Sequence, residues 1–236
     1  MKKLLVLAAA VAIGVPALMA GAEVTGKITL KGTPPKEIPI GLDPLCGRLH
    51  SEPVTTQHYV VASDGGLKDV FVYIKEIPGG KTYTPAADAK TPELDQEKCL
   101  YTPYVSGVMV NQPFIIKNSD PLMHNVHATP KVEGNKEFNV GQPVKGMEYK
   151  ASFAKREVLL RFKCDVHAWM FAYVGVMDHP WFAVTNEKGE YKLPPDLPPG
   201  EYTLVALHRK AGESTQKITV ADGDKKAVNF TMEVPK

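Results

Sequence analysis

The sequence predicts an all-β protein made of antiparallel, sandwich-like sheets. Short β-rich segments recur along the chain, and each is bounded by Gly, Pro, Asn or Asp. Nineteen glycines and twenty prolines indicate many turns, and we find no amphipathic helix longer than two turns. A hydrophobic content of 44% is typical of a globular protein. The formal net charge of +2 comes without a basic block, which argues against a nucleic-acid partner.

Residues 1–22 are predicted to be a secretory signal peptide. Two lysines precede an apolar run over residues 4–19, and small residues follow as far as Ala22. We expect cleavage before Glu23, which makes the mature protein periplasmic or secreted. A membrane anchor is the alternative, but the run is short for a bilayer span and is interrupted by Gly14 and Pro16. We therefore expect no stable membrane insertion after cleavage.

Residues 23–92 form an N-terminal β region. It begins with an alternating strand, Val24–Leu30, and continues as a proline-rich loop over residues 31–57. His58–Val61 and Val70–Ile74 are predicted to be the strands of one hairpin, because Asp-Gly-Gly lies between them. Residues 77–97 are polar and are predicted to be a loop.

The β pattern continues in two further regions, residues 93–178 and residues 179–236. In the first, the predicted strands are Val108–Val110, Phe114–Lys117, Asn125–Ala128, Met147–Phe153, Val158–Lys163 and Tyr173–Met177. In the second, they are Trp181–Thr185, Tyr191–Leu193, Tyr202–Leu207, Lys217–Val220 and Ala227–Met232.

A group of possible metal ligands falls in the connection between two of these strands. The segment Cys164-Asp-Val-His167-Ala-Trp-Met170 offers a thiolate, an imidazole and a thioether within seven residues, and His124 lies in another strand-end loop. A Cys, two His and a weak Met ligand form the donor set of a blue-copper electron-transfer site. Singly, each residue is better explained as a core or loop side chain, whereas the four together favour copper. Zinc is a competing metal, although a thioether is a poor zinc ligand.

The two loops resemble those of the cupredoxins of the amicyanin and plastocyanin type, over roughly residues 95–178. His124 followed by Asn-Val and the spacing Cys-x-x-His-x-x-Met carry this resemblance. It implies a Greek-key domain that binds one mononuclear type 1 copper ion. The implied metal ligands are His124, Cys164 and His167, with Met170 in the axial position.

The same resemblance implies roles for neighbouring residues. Asn125 is expected to tie the ligand loops together by bonding the backbone near Asp165. His127 is not a ligand in the matching pattern, and His167 is the ligand nearest solvent. The motif also has apolar neighbours that suit transient docking of a redox partner, although the two aromatic ones could equally pack inward. These neighbours are Pro121, Ala168, Trp169 and Phe171.

Two cysteines, Cys46 and Cys99, remain once Cys164 is assigned to copper. Because an exported protein can form disulfides, we expect these two to be bonded to each other. The run from Cys46 to His50 leaves a second metal site as the alternative.

Residues 182–204 resemble the carboxypeptidase regulatory-like (transthyretin-like) β-sandwich family. The resemblance rests on Thr-Asn-Glu-Lys-Gly-Glu-Tyr at 185–191 and on Pro-Gly-Glu-Tyr-Thr-Leu at 199–204. It implies architecture only, since the family is structural. Because residues 179–236 are too few for the full set of strands, we expect one sandwich split between them and residues 23–92, with the copper module inserted. Two modules in series are the alternative.

These observations predict an exported copper protein that carries single electrons between redox partners of the cell envelope and is not itself an enzyme. A periplasmic copper-sequestering or copper-delivery protein with the same ligands is one alternative. A structural envelope module is the other.

Overall fold

A computed structural model describes residues 21–235 and shows a chain built mainly from strands and turns. The predicted all-β class is confirmed: the sheets in this range are mainly antiparallel, and three of them also contain parallel pairs. Gly21 and Ala22 are the only parts of the predicted signal peptide within the described range, and Ala22 is buried and forms a bridge to Leu197. No helix in this range is long and apolar enough to span a bilayer.

Strands are the main elements of the described chain, and one short α-helix lies between the first two of them. They are β1 (Glu23–Lys31), α1 (Pro44–Gly47), β2 (Phe71–Ile74), β3 (Glu93–Glu97), β4 (Leu100–Thr102), β5 (Val105–Met109), β6 (Phe114–Asn118), β7 (His124–Thr129), β8 (Phe138–Gln142), β9 (Glu148–Ala151), β10 (Glu157–Lys163), β11 (Phe171–Met177), β12 (Phe182–Val184), β13 (Glu190–Lys192), β14 (Gly200–His208), β15 (Gly212–Val220), β16 (Lys225–Ala227) and β17 (Phe230–Glu233).

Strands from both ends of the chain form one pair of sheets. β1 pairs with β13, β16 and β17, while the second sheet has the order β12-β2-β14-β15. Apolar side chains of both sheets, such as Val24, Ile28 and Leu204, are fully buried in one core. A split sandwich requires this pairing of β1 with C-terminal strands, and the division of the chain into domains stays a prediction.

The middle of the chain forms a second pair of sheets. Their orders are β5-β11-β10-β7-β8 and β4-β3-β6-β9. Four phenylalanines meet in the core between them, several at edge-to-face angles that aromatic rings prefer. They are Phe114, Phe138, Phe153 and Phe162.

A close contact links the two pairs of sheets. The ring of Phe71 on β2 packs over Gly107 on β5 and Gly175 on β11, where a Cβ atom on Gly175 would stand 2.1 Å from the ring. Phe71 lies in a small buried cluster with Tyr73 and Met177. Glycine is therefore required at position 175 by the closeness of the ring.

Some local predictions were wrong. Residues 93–97, predicted to be a loop, form β3, whose inward residues Leu94 and Gln96 alternate with polar outward ones. The predicted hairpin before β2 is reduced to one bridge between Val61 and Leu67, because β2 pairs with β12 and β14 instead.

Candidate metal centre

Three of the predicted metal ligands converge in the interior of the second pair of sheets. The Nδ1 atoms of His124 and His167 lie 3.0 Å apart, and Cys164 Sγ lies 3.8 Å from His167 Nδ1. One donor atom from each of the three residues lies within 4.8 Å of the other two. All three side chains are buried. The structure thus brings a thiol and two imidazoles to one point, as a single metal ion would need.

The strand pairing explains why these residues meet. His124 begins β7, and residues 164–170 connect β10 to β11. Because β7 pairs with β10 and Lys163 lies opposite His127, the two ligand segments lie at the same end of the sheet. The connection is closed by the Cys164 N–H donating to Met170 O at 3.0 Å and the Met170 N–H donating to His167 O at 2.9 Å. Met170 is buried in the core cluster that also contains Cys164.

Asn125 fixes the two ligand segments to each other. Its Oδ1 accepts the N–H of Asp165 at 2.7 Å and the N–H of Val166 at 3.3 Å. The same oxygen accepts the Cys164 thiol at 3.3 Å. This is the backbone contact near Asp165 that the sequence predicts. It holds the ligand connection in place through protein contacts alone.

Each histidine of the cluster has a carboxylate at its far nitrogen. His124 Nε2 lies 2.9 Å from Asp120 Oδ2, and His167 Nε2 lies 3.3 Å from Asp43 Oδ2. A carboxylate at Nε2 holds a proton there, so that Nδ1 is the ring nitrogen that faces the other donor atoms and would bind a metal. Asp120 is itself fixed by the backbone N–H groups of Lys98 and Cys99. Neither aspartate was singled out from the sequence.

The electrostatics of the cluster act differently on its three donor residues. Burial lowers the pKa of His124, but the Asp120 carboxylate and the Cys164 thiol outweigh burial and raise it to about 9. Burial raises the pKa of Cys164, yet hydrogen bonds from His124 and from backbone amides lower it overall. Burial and the neighbouring His124 lower the pKa of His167. A thiolate at Cys164 and a neutral imidazole at His167 are thereby favoured, and these are forms that bind metal, whereas His124 is held protonated at neutral pH and would release a proton on binding a metal.

A covering loop shields His167 from solvent. Asp43, which caps the N-terminus of α1, faces the imidazole, and Cys46 of the same helix forms a disulfide with Cys99. The disulfide sulfurs and a His167 nitrogen lie within 4.8 Å of one another. As a result, only 7% of His167 is exposed. His167 is still the most exposed of the four proposed ligands, but residues 43–47 cover most of its ring.

The predicted apolar neighbours of the ligand segments divide into two groups. Ala168 and Pro121 are exposed, while Trp169 and Phe171 are partly buried. The Trp169 indole N–H donates to Cys99 O at 3.0 Å. Two apolar residues that the sequence analysis passed over are more exposed than either aromatic residue, namely Met123 at 52% and Val166 at 50%.

His127 lies outside the donor cluster. Its Nδ1 is 2.8 Å from Asp165 Oδ2, and its Nε2 is 2.6 Å from Glu137 Oε1. Both ring nitrogens are therefore engaged by carboxylates at the surface.

Comparisons with known proteins return only partial similarities in structure. No protein-family model matches the chain, and no curated protein matches it in sequence. The copper-containing nitrite reductase from Thermus scotoductus is 18% identical with a TM-score of 0.34, over 44% of this chain and 25% of that one. A purple cupredoxin from Nitrosopumilus maritimus is 21% identical with a TM-score of 0.31, over 36% of this chain and 98% of that one.

A mutant of amicyanin in its Cu(I) form gives a similar result. It is 23% identical with a TM-score of 0.32, over 44% of this chain and 97% of that one. This chain spans only about a quarter of the length of the nitrite reductase. Its function is therefore inferred from its own residues.

Proposed function

We propose that this chain is an exported mononuclear type 1 copper protein that carries single electrons between redox partners in the cell envelope. The main support is the buried convergence of Cys164 Sγ with the Nδ1 atoms of His124 and His167. Met170, buried in the same core, is the proposed axial ligand. A copper ion held there would supply a one-electron couple between Cu(I) and Cu(II).

The donor residues of this chain would need little rearrangement when a bound copper ion changes its oxidation state. Asn125 holds the ligand connection, and Asp120 and Asp43 orient the two imidazoles. A site held this firmly suits repeated changes of oxidation state better than release of the metal, because release requires the ligands to move apart. We therefore favour an electron carrier over a copper-sequestering or copper-delivery protein, and over an enzyme.

Titration of the metal-free mature protein with Cu(II) tests this proposal. We expect one copper ion per chain, an intense visible absorption band and reversible reduction. Cys164→Ser should abolish the band, since the coloured bond is to sulfur, while Met170→Leu should keep it and raise the reduction potential. His127→Gln is the matched control and should keep both the band and the potential.

Three results would count against the proposal. An unchanged spectrum in Cys164→Ser would exclude this site. A colourless Cu(I) form that resists oxidation would favour sequestration. Failure to bind copper stoichiometrically would favour a structural module.

The proposed partner is an envelope redox protein that docks beside the ligand segments. Met123 and Val166 provide exposed apolar surface there, and the nearby Asp165 is paired with Lys163 at 2.7 Å. With little net charge on this face, electron-transfer rates should depend only weakly on ionic strength. Val166→Glu should slow transfer and leave the copper band intact, whereas Val132→Glu, beyond the opposite end of β7, should not. A steep fall in rate with salt would contradict this docking mode.

A further inference from the structure

A cavity of about 380 Å³ lies beside β11, and Met170, the proposed axial ligand, forms part of its wall. A cavity of this size can hold a small organic molecule. Residues of the loop before β2, of the β4–β5 connection and of the start of β11 line it. Its walls include Ile40, Lys68, Asp69, Tyr104, Trp169 and Phe171.

Asp69 is the unusual member of this cavity wall. The residue is only 7% exposed, and its buried Oδ2 accepts no hydrogen bond from any described residue. The neighbouring cation, Lys68, is engaged with Glu187 at 2.7 Å. Burial raises the pKa of Asp69 to about 6, so the carboxylate is charged at neutral pH and above. A buried charge with so few hydrogen-bond donors is costly. Oδ2 itself has almost no accessible surface, so a ligand in the cavity would donate to the other carboxylate oxygen and would offset part of that cost.

The aromatic walls offer apolar surface because their polar atoms are already used. The Tyr104 hydroxyl accepts a hydrogen bond from Arg209 at 2.6 Å, and the Trp169 indole N–H is donated to Cys99 O. The Arg209 guanidinium also lies 4.9 Å from the centre of the Phe171 ring. A ligand body in the cavity would therefore meet aromatic carbon, while its polar end would meet Asp69.

We propose that this cavity binds a small organic cation, a protonated amine carried on an apolar body. The ammonium group would donate to the Asp69 carboxylate, and the apolar body would lie against Tyr104, Trp169 and Phe171. An anion would be repelled by the unpaired carboxylate, and a neutral apolar molecule would leave it unpaired. This site goes beyond the proposed electron transfer and requires no metal, so the two proposals can fail separately.

Calorimetric titration of the metal-free mature protein at pH 7.5 with benzylammonium tests the site. We expect saturable binding of one molecule per chain. Benzyl alcohol, a neutral probe of similar shape, should bind about tenfold or more weakly, because it lacks the charge that complements Asp69.

Three variants locate the binding. Asp69→Asn removes the charge at nearly constant shape and should weaken benzylammonium binding about tenfold or more. Ile40→Trp should fill the cavity and weaken binding similarly. Asp196→Asn is the matched control, since Asp196 is an exposed aspartate with a φ of +66°, close to the +61° of Asp69. This variant should bind benzylammonium as the unchanged protein does.

The proposal is overturned if benzylammonium shows no saturable binding, or if benzyl alcohol binds as tightly. Unchanged affinity in both Asp69→Asn and Ile40→Trp would also overturn it, because binding would then lie elsewhere. Thermal unfolding of each variant shows whether a loss of binding reflects a loss of fold.

Discussion

The unpaired carboxylate of Asp69 is expected to destabilise the folded protein at neutral pH. Burial raises its pKa from an ordinary value of 3.8 to about 6. The folded chain then binds the Asp69 proton more tightly than the unfolded chain does. Stability therefore falls as the pH rises through this window, and the loss is complete above the folded pKa. Asp69→Asn removes the charge, and asparagine tolerates the positive φ of +61° at this position.

The size of the effect follows from the difference between the two pKa values. A change from 3.8 to about 6 corresponds to about 3 kcal/mol of folding free energy. This figure is an upper value, because a buried group relaxes and admits water as it ionises. Asp69→Asn should therefore stabilise the metal-free protein by up to about 3 kcal/mol above the folded pKa, and by close to zero below 3.8.

Urea unfolding of the unchanged protein and of Asp69→Asn, at several pH values across this window, measures the difference directly. Every other titrating group is common to both proteins, so its contribution cancels in the comparison. The exposed Asp196→Asn variant is the control and should show no such rise in stability with pH. A stability difference that does not change with pH, or a variant less stable than the unchanged protein at high pH, would refute the reasoning.

Two further changes test the packing and the covering loop. Replacing Cys46 and Cys99 together by Ala opens a loop closed across a sequence separation of 53. It should cost about 4 kcal/mol in urea unfolding, and a cost near zero would show that the bond does not constrain the unfolded chain. Gly175→Ala should cost about 1–3 kcal/mol or more because of the Phe71 ring, whereas Gly41→Ala, with no atom within 4 Å, should cost little. Equal costs would refute the close contact.

Most of the proposed metal ligands could be recognised in the sequence because three of the four lie close together in it. Cys164, His167 and Met170 fall within one strand connection, and Asn125 follows directly after His124. In such short segments the donor types alone indicate the chemistry. The all-β class was equally accessible, because turn residues punctuate the whole chain.

The groups that orient the imidazoles could not be predicted in the same way. Asp43 reaches His167 only because the loop after β1 folds over the ligand segments, and no local pattern encodes that placement. The position of Asp120 gives a weak indication of its role, since it lies only four residues before His124 in the sequence. β3 was not predicted because its outward positions are charged and Leu94 is the only apolar residue among its five.

The position of β1 imposes an order on assembly. Its strand partners extend from residue 190 to residue 233, so β1 pairs with them only when almost the whole polypeptide has been synthesised. Until then, the apolar residues Val24 and Ile28 have no sheet to cover them. The strands between residues 93 and 177 pair among themselves over shorter separations and pay a smaller loop-closure entropy. The pair of sheets that contains the donor cluster is therefore expected to form first, and the pair built from both ends of the chain is expected to form after it.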